Sequence, residues 1–132
     1  MSESVRVSPF LSTRDIDRTV AFYRDHLGFT IETLDPPDAP TLAVLDRGDA
    51  TLIFDSTLWS GEPNLTGQIY FDLSSTPPAD QGSDELDLLC SRLGKHTTIL
   101  WGPETFEYGR REFSCLDPNG YALVFSVMVV DS

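Results

Sequence analysis

A short pattern of residues occurs twice in this chain and indicates an internal duplication. Each copy is a Leu-Asp pair followed by two apolar residues at the same spacing, and the copies lie 71 positions apart: Leu45-Asp46, Leu52 and Phe54, then Leu116-Asp117, Leu123 and Phe125. His26-Leu27-Gly28 also recurs, as Arg92-Leu93-Gly94. Because self-similarity at a long interval is typical of repeated structural units, the chain is predicted to contain two copies of one unit.

The first half has the pattern of a strand, a helix and three further strands. Asp15 is a favourable N-cap, and the apolar residues after it follow helical spacing up to Gly28, which favours a left-handed helix end. A hairpin is predicted around Arg47-Gly48-Asp49. The predicted strands of this half are Val5–Leu11, Phe29–Leu34, Thr41–Leu45 and Thr51–Asp55.

The second half repeats this order of elements. Its helix is predicted over Asp84–Leu93, with Gly94 after it. Asp117-Pro118-Asn119-Gly120 forms a turn, because proline fixes φ and Asn-Gly accepts a positive φ. The predicted strands are Gln68–Leu73, Thr97–Trp101, Arg110–Leu116 and Tyr121–Val127, and the predicted loops are Ser74–Ser83 and Gly102–Glu107.

These elements predict an α+β fold of two tandem βαβββ modules. The 132 residues fit one domain, with modules at residues 5–56 and 66–128 and a linker at residues 57–65. Each module provides a four-stranded mixed sheet with a helix on one face, so its other face needs a cover. Two such curved sheets are expected to enclose a cleft, which is a natural place for a ligand.

The charge and hydropathy of the chain exclude several classes of partner. The chain has 9 basic and 21 acidic residues and a formal net charge of −12, which disfavours nucleic acid and attracts cations. No apolar run is long enough to span a membrane, and the polar, acidic start predicts a cytoplasmic protein. The two cysteines, Cys90 and Cys115, have no metal or redox spacing and are interpreted as reduced core thiols.

The sequence resembles the vicinal oxygen chelate superfamily of glyoxalases, bleomycin-resistance proteins and dioxygenases. Residues 10–16 and 21–29 are similar to the opening of these domains, and residues 108–113 with 116–120 are similar to their closing strand pair. The closing pattern is most typical of the bleomycin-resistance branch. The resemblance extends from Val5 to Val127 and implies both the fold and a homodimer.

Metal-dependent members of this superfamily carry His or Glu at equivalent places in four strands. The resemblance assigns these places to Ser8, Ile53, Gln68 and Val124. None of the four is a strong donor, and two are hydrocarbons that cannot coordinate a divalent ion. No metal and no cofactor are therefore predicted.

No catalytic constellation is predicted either. The chain has no nucleophile elbow, no HExxH, no P-loop and no GxGxxG pattern. Of its two histidines, His26 lies at the end of the first predicted helix and His96 in the turn after the second, where structural or solvent roles are expected. Acid–base chemistry by a carboxylate pair such as Asp55 with Asp72 stays open.

The predicted ligand-binding residues combine flat aromatic rings with carboxylates. Strand alternation groups Gln68 with Tyr70 and Asp72, and Val124 with Ser126, on shared faces. Alternatives stay open for three members: Trp101 as a core residue, Glu112 as a surface partner of its neighbouring arginines, and Trp59 as either a lid or a dimer anchor. The full set is Phe10, Asp55, Trp59, Tyr70, Asp72, Trp101, Tyr108 and Glu112.

The residues favour a binding protein that sequesters a planar or cationic small molecule, such as an antibiotic, over an enzyme. The alternative is a lyase, isomerase or dioxygenase of the same superfamily, with a displaced metal site or metal-free acid–base chemistry. A third possibility is a fold retained as a regulatory or dimerisation module. The identity of the ligand depends on the residues of the pocket, which the topology of the fold does not determine.

Overall fold

A computed structural model of the chain describes residues 5–73 and 82–129. The chain divides into two compact units, Met1–Leu65 and Thr66–Ser132. Over the described residues, each unit contains one α-helix and one four-stranded sheet, in the order strand, helix and three strands. The prediction of an α+β fold with tandem βαβββ modules is confirmed. In the described residues, no helix is long and apolar enough to cross a membrane.

The first unit has strand order β1-β4-β3-β2, with β1 parallel to β4 and the other pairs antiparallel. Asp15 caps the helix by accepting a hydrogen bond from the backbone N–H of Arg18, and Gly28 ends it with φ of 71°, as the sequence predicts. The elements of this unit are β1 (Phe10–Ser12), α1 (Ile16–Leu27), β2 (Thr30–Asp35), β3 (Leu42–Arg47), β4 (Ala50–Asp55) and a 3₁₀ helix (Ser56–Leu58).

The core of the first unit lies between α1 and its sheet. Tyr23 of the helix contacts Phe54 of β4 with ring centroids 5.3 Å apart, and both side chains are fully buried. Leu52 lies two residues before Phe54 and is also buried, as alternation requires. The apolar positions of the repeat therefore form the helix-facing side of the sheet.

The second unit has the same topology, with strand order β5-β8-β7-β6 and β5 parallel to β8. Phe125 of β8 stacks on Phe113 of β7 at 5.3 Å, in the same helix-facing layer as Leu123 and Cys115. The elements are β5 (Gln68–Asp72), α2 (Gly82–Leu93), β6 (Ile99–Phe106), β7 (Arg110–Leu116) and β8 (Ala122–Met128).

Two predicted elements were wrong in extent. The first strand covers Phe10–Ser12 and not Val5–Leu11. Strand β6 continues through the predicted loop Gly102–Glu107 as far as Phe106. It can do so because β6 is an edge strand, where the missing N–H of Pro103 removes no necessary ladder bond. Most of the predicted loop Ser74–Ser83 lies outside the described residues.

The pairing registers make individual positions of the two sheets equivalent. Phe10 pairs with Ile53 in the first sheet as Tyr70 pairs with Val124 in the second. The interval of 71 therefore holds between β4 and β8. Between β3 and β7 the interval is 70, because Leu52 pairs with Leu45 whereas Leu123 pairs with Cys115. The matched leucines Leu45 and Leu116 thus face opposite sides of their sheets.

Candidate ligand-binding face of the second sheet

One side of the second sheet is turned away from α2, and we call it the Glu112 face. The helix side is defined by Arg111, which forms an ion pair with Asp87 of α2 at 2.9 Å. Alternation along β7 places its neighbours on the opposite side. Cross-strand pairs then extend this side over the sheet, and it carries Tyr70, Asp72, Trp101, Glu104, Arg110, Glu112, Ser114, Val124 and Ser126.

The carboxylate of Glu112 is buried at the centre of this face and is held by two tyrosines. Tyr70 donates its hydroxyl to Oε2 at 2.5 Å, and Tyr108 donates to Oε1 at 2.6 Å. Glu112 is only 4% exposed, whereas Tyr70 and Tyr108 are 50% and 64% exposed. The arrangement couples a buried negative charge to two exposed aromatic rings.

Glu112 is ionised in this setting. Burial by itself raises the pKa of this carboxyl, but hydrogen bonds from Tyr108, Tyr70 and Ser126 and the charge of Arg110 outweigh it, so the pKa lies below its ordinary value. The same carboxylate raises the pKa of Tyr108 to about 12, mainly through their hydrogen bond. Both shifts favour a charged Glu112 beside a neutral phenol.

Arg110 organises the neighbouring part of the Glu112 face. Its Nε donates to Ser126 Oγ at 2.6 Å, and its Nη2 donates to Asp72 at 2.5 Å. Arg110 also interacts electrostatically with Tyr70. Burial lowers the pKa of Arg110, but the Asp72 carboxylate more than reverses this and leaves the pKa above its ordinary value. The guanidinium thus joins Asp72, Ser126 and Tyr70 into one network with Glu112.

An aromatic stack adjoins this network. The rings of Phe106 and Tyr108 are stacked at 5.3 Å with an interplanar angle of 7°, and Trp101 meets Phe106 edge-on at 6.0 Å. Trp101 is half-buried, and Tyr108 is the most exposed of the three. The stack offers a flat surface beside a negatively charged group.

Ser114 lies two residues from Glu112 on the same strand face and has an unusual environment. Its side chain is fully buried, and its hydroxyl has no hydrogen-bond partner among the described residues. Its cross-strand neighbours are Trp101 and Val124. Buried hydroxyl groups normally have a partner, so Ser114 is an exception on the face that carries the Glu112 network.

Strand β6 approaches β7 closely beside Glu112, and a glycine makes this possible. Gly102 has φ of 84°, and a Cβ there would lie 2.5 Å from the backbone oxygen of Glu112. The register shifts at this point, so that Trp101 is opposite Ser114 and Glu104 is opposite Glu112. The bulge therefore fixes which side chains flank the carboxylate.

The predicted ligand residues fall into two groups. Tyr70, Tyr108 and Glu112 are joined by direct hydrogen bonds, and Asp72 and Trp101 adjoin them through Arg110 and Phe106. The open alternative that Glu112 pairs with arginines on the surface does not hold, because the carboxylate is buried and Arg111 pairs with Asp87.

The other predicted residues belong to the first unit. Phe10 is exposed in β1, and Trp59 is half-buried directly after the 3₁₀ helix. Asp55 caps that helix, with its carboxylate accepting hydrogen bonds from the N–H and the hydroxyl of Thr57 at 2.7 and 2.5 Å. The Asp55 carboxylate thus has a local structural role.

The residues at the superfamily's metal positions do not fit a metal ion. Gln68 and Val124 lie on the Glu112 face, and Val124 is 1% exposed with only carbon atoms to offer. Ile53 is the equivalent hydrocarbon in the first sheet. Within residues 5–73 and 82–129, no group of three or more His, Cys, Asp or Glu side chains could hold a metal ion.

The predicted set of ligand-binding residues lacks several members of the site, although strand alternation already grouped Ser126 with Val124. Arg110 and Ser126 complete the hydrogen-bond network, and Phe106 links Trp101 to Tyr108. Alternation along β7 and β8 already places Arg110, Ser114 and Ser126 on the side of Glu112 and Val124. That signal was available, although it does not specify which side chains bond to one another.

The family of the protein follows from this fold together with sequence comparison. Residues 6–125 match the profile of the Glyoxalase/Bleomycin resistance protein/Dioxygenase superfamily. The chain therefore belongs to this superfamily, and the predicted resemblance is confirmed. No curated protein matches the sequence.

Solved structures with the same fold come from several bacteria. TioX from Micromonospora sp. ML1 has a TM-score of 0.72 at 16% identity, over 96% of this chain and 100% of that one. TnmS3, an antibiotic binding protein from Streptomyces sp. CB03234, has a TM-score of 0.70 at 17% identity, over 97% and 98%. A glyoxalase/bleomycin resistance protein/dioxygenase family enzyme from Burkholderia phytofirmans PsJN has a TM-score of 0.72 at 20% identity, over 92% and 97%.

Proposed function

We propose that this protein is a metal-independent binding protein that sequesters a planar, cationic small molecule, such as an antibiotic, on the Glu112 face. The observation that carries the proposal is the buried carboxylate of Glu112, bonded to the exposed tyrosines Tyr70 and Tyr108. A carboxylate bonded to the hydroxyls of two exposed tyrosines suits a ligand that is both flat and positive, because the ligand's ring can stack on a tyrosine while its charge lies near the carboxylate.

The charges around Glu112 support a cationic ligand. Asp72 and Glu104 are exposed carboxylates in the same cross-strand row as Glu112, and Arg110 supplies one compensating positive charge. The whole chain carries a formal charge of −12. Such a field raises the local concentration of cations and repels anions.

The aromatic stack supports a planar ligand. Tyr108 leaves most of its surface exposed while Phe106 fixes its ring from behind. An immobilised ring binds with little loss of side-chain entropy, and offset stacking contributes about 0.5–1.5 kcal/mol beyond area burial. Tyr108 is therefore the residue on which a flat ligand is expected to stack.

A related fold with a known role is consistent with this proposal. TnmS3 is an antibiotic binding protein, and its fold covers nearly the whole of this chain. At 17% identity the likeness concerns the fold, and fold alone does not define function. The argument for binding therefore depends on the residues of the Glu112 face.

Metal independence is the second part of the proposal. Hydrocarbon side chains at Ile53 and Val124 cannot replace the His or Glu ligands that an active ion requires. Elemental analysis of protein purified without chelator is expected to find no stoichiometric nickel, zinc, iron or manganese. A stoichiometric metal would overturn this part and favour the alternative of a lyase, isomerase or dioxygenase.

Calorimetric titration with two probes, proflavine and bleomycin, tests the binding proposal. Saturable binding of at least one probe is expected, and Tyr108→Ala should weaken it about tenfold through loss of stacking and of the link to Glu112. Leu88→Ala is the matched control, since Leu88 is an equally exposed apolar residue on α2. Absence of saturable binding by the native chain overturns the proposal.

The assembly and location of the protein are part of the same proposal. The superfamily resemblance implies a homodimer, and the acidic chain suits the cytoplasm. Light scattering at two protein concentrations is expected to give twice the mass of the 14.7 kDa chain. A monomer at both concentrations would refute the dimer and leave the binding face unaffected, because all its residues belong to one chain.

A further inference from the structure

The hydroxyl protons of both tyrosines on the Glu112 face already take part in hydrogen bonds to Glu112. A phenol has a single O–H donor, and an ionised carboxylate can only accept. Tyr70 directs its proton to Oε2 of Glu112 and Tyr108 directs its proton to Oε1. Neither hydroxyl can therefore donate to a ligand while these bonds persist.

What the tyrosines still offer is acceptor capacity. The hydroxyl of Tyr70 also interacts electrostatically with Arg110. The oxygen of Tyr108 keeps its lone pairs, and this side chain is 64% exposed. Because the pKa of Tyr108 is raised to about 12 by its bond to Glu112, the phenol stays neutral and its orientation persists at physiological pH.

The hydrogen-bond donors of Arg110 are directed inward. Arg110 donates hydrogen bonds to Ser126 and Asp72, both within the network. Two exposed carboxylates, Asp72 and Glu104, lie beside the network. A ligand that approaches Tyr108 thus meets hydrogen-bond acceptors and negative charge.

We infer that Glu112 is a positioning residue that fixes the hydroxyl of Tyr108 as a hydrogen-bond acceptor, so that the Glu112 face selects planar cations bearing amino N–H groups over equally charged planar cations without them. This inference rests on the proposed function and specifies its ligand class. Cationic charge and ring area are shared by both kinds of ligand, so the discrimination comes from the hydrogen bond to Tyr108.

Two acridine dyes form a matched pair of probes. Proflavine and acridine orange are both planar cations at neutral pH, but every amino N–H of proflavine is replaced by N-methyl in acridine orange. The native chain is expected to bind proflavine about tenfold more tightly than acridine orange, because proflavine can donate one additional hydrogen bond to the oxygen of Tyr108. Direct titration calorimetry with each dye measures this ratio.

Two variants test whether the preference for proflavine over acridine orange depends on the hydrogen bond between Tyr108 and Glu112. Tyr108→Phe keeps the ring and removes the acceptor, so the preference should fall below about threefold while acridine orange still binds. Glu112→Gln should also reduce the preference, because the glutamine amide can donate to one tyrosine and release its proton toward the ligand. Ser91→Ala, on an exposed position of α2, is the control and should keep the native ratio.

The outcomes separate this inference from the proposed function. Tight binding of both dyes with equal affinity, or a preference that persists in Tyr108→Phe, overturns the inference and leaves the proposed function standing. Failure of the native chain to bind either dye overturns both. Melting of each variant, followed by circular dichroism, verifies folding; if Glu112→Gln does not fold, the exposed Tyr108→Phe variant alone decides.

Discussion

The two sheets of this protein have the same topology but different side chains on the sides that face away from their helices. By pairing register, Leu42 and Val44 of the first sheet occupy the places of Glu112 and Ser114 in the second. The helix-facing positions are alike, with Phe54 equivalent to Phe125 in the buried layer. The comparison teaches that the helix-facing layer defines the unit, whereas the other side of each sheet can diverge in chemistry.

The same contrast holds for one aspartate and one serine in each sheet. Ser12 pairs with Asp55 in the first sheet, and Asp72 pairs with Ser126 in the second, so the two residue types are exchanged between strands. Asp55 is used locally as a helix cap. Asp72 and Ser126 instead bind Arg110. An aspartate therefore caps a helix in the first unit, whereas an aspartate and a serine of the second unit belong to the hydrogen-bond network around Glu112.

The largest expected effects concern the layer that the halves share. Phe54→Ala and Phe125→Ala should each lower the free energy of unfolding by about 3–5 kcal/mol, because each removes a fully buried ring. Urea denaturation, followed by fluorescence and circular dichroism, measures both. A loss below about 1 kcal/mol for either variant would mean that the two helix-facing layers are not equivalent.

The next prediction separates two fully buried serines on the Glu112 face. Ser126→Ala should lower the free energy of unfolding by about 1–3 kcal/mol, because Arg110 loses a partner. Ser114→Ala should leave it unchanged or slightly higher, since a hydroxyl without a partner is removed. Urea denaturation of both variants tests the contrast. A clear loss of stability in Ser114→Ala would show that its hydroxyl is satisfied in solution.

A smaller, pH-dependent effect is expected from Glu112, which the first sheet replaces with Leu42. Its pKa in the folded chain is below the ordinary 4.5, so its stabilising contribution is complete above about pH 4.5 and is lost as the pH falls through the folded value. The stability difference between the native chain and Glu112→Gln should therefore shrink on acidification. Urea midpoints over a pH series measure it, and a difference that stays constant or grows in acid contradicts the prediction.

The smallest effect concerns the titration of Tyr108. Its pKa of about 12 should fall toward the ordinary 10.0 in Glu112→Gln, because the main cause of the shift is the bond to this carboxylate. Ultraviolet absorbance of tyrosinate monitors the titration, and Tyr108→Phe identifies the transition among the four tyrosines. An unchanged transition in Glu112→Gln would show that this bond does not form in solution.

The local elements of the fold could be predicted because their signals are local. Asp15 and Gly28 delimit α1 by capping chemistry, and Arg110–Leu116 was predicted with the bounds that it has. The extension of β6 was missed because a Gly-Pro pair usually ends a strand, and only the position of β6 at the sheet edge allows it. Edge position is a property of the whole sheet and not of a sequence window.

The candidate site could be predicted only in part. Alternation grouped Tyr70 with Asp72, and the structure brings both to the side of Glu112. The contact of Tyr108 with Glu112 depends on the turn between β6 and β7, which alternation does not describe. The repeat interval was also misleading in β7, where an added hairpin residue changes 71 to 70 and makes Leu42, and not Thr41, the equivalent of Glu112.

Gly102 restricts how this protein can change during evolution. Any side chain at this position would collide with the strand that carries Glu112, so the site tolerates only the smallest residue. Trp101 and Glu104, on either side of it, are free of that restriction and point toward the same face. New ligand preferences would therefore arise by substitution beside Gly102 and not at it, and a lineage that lost this glycine would lose the arrangement around Glu112 with it.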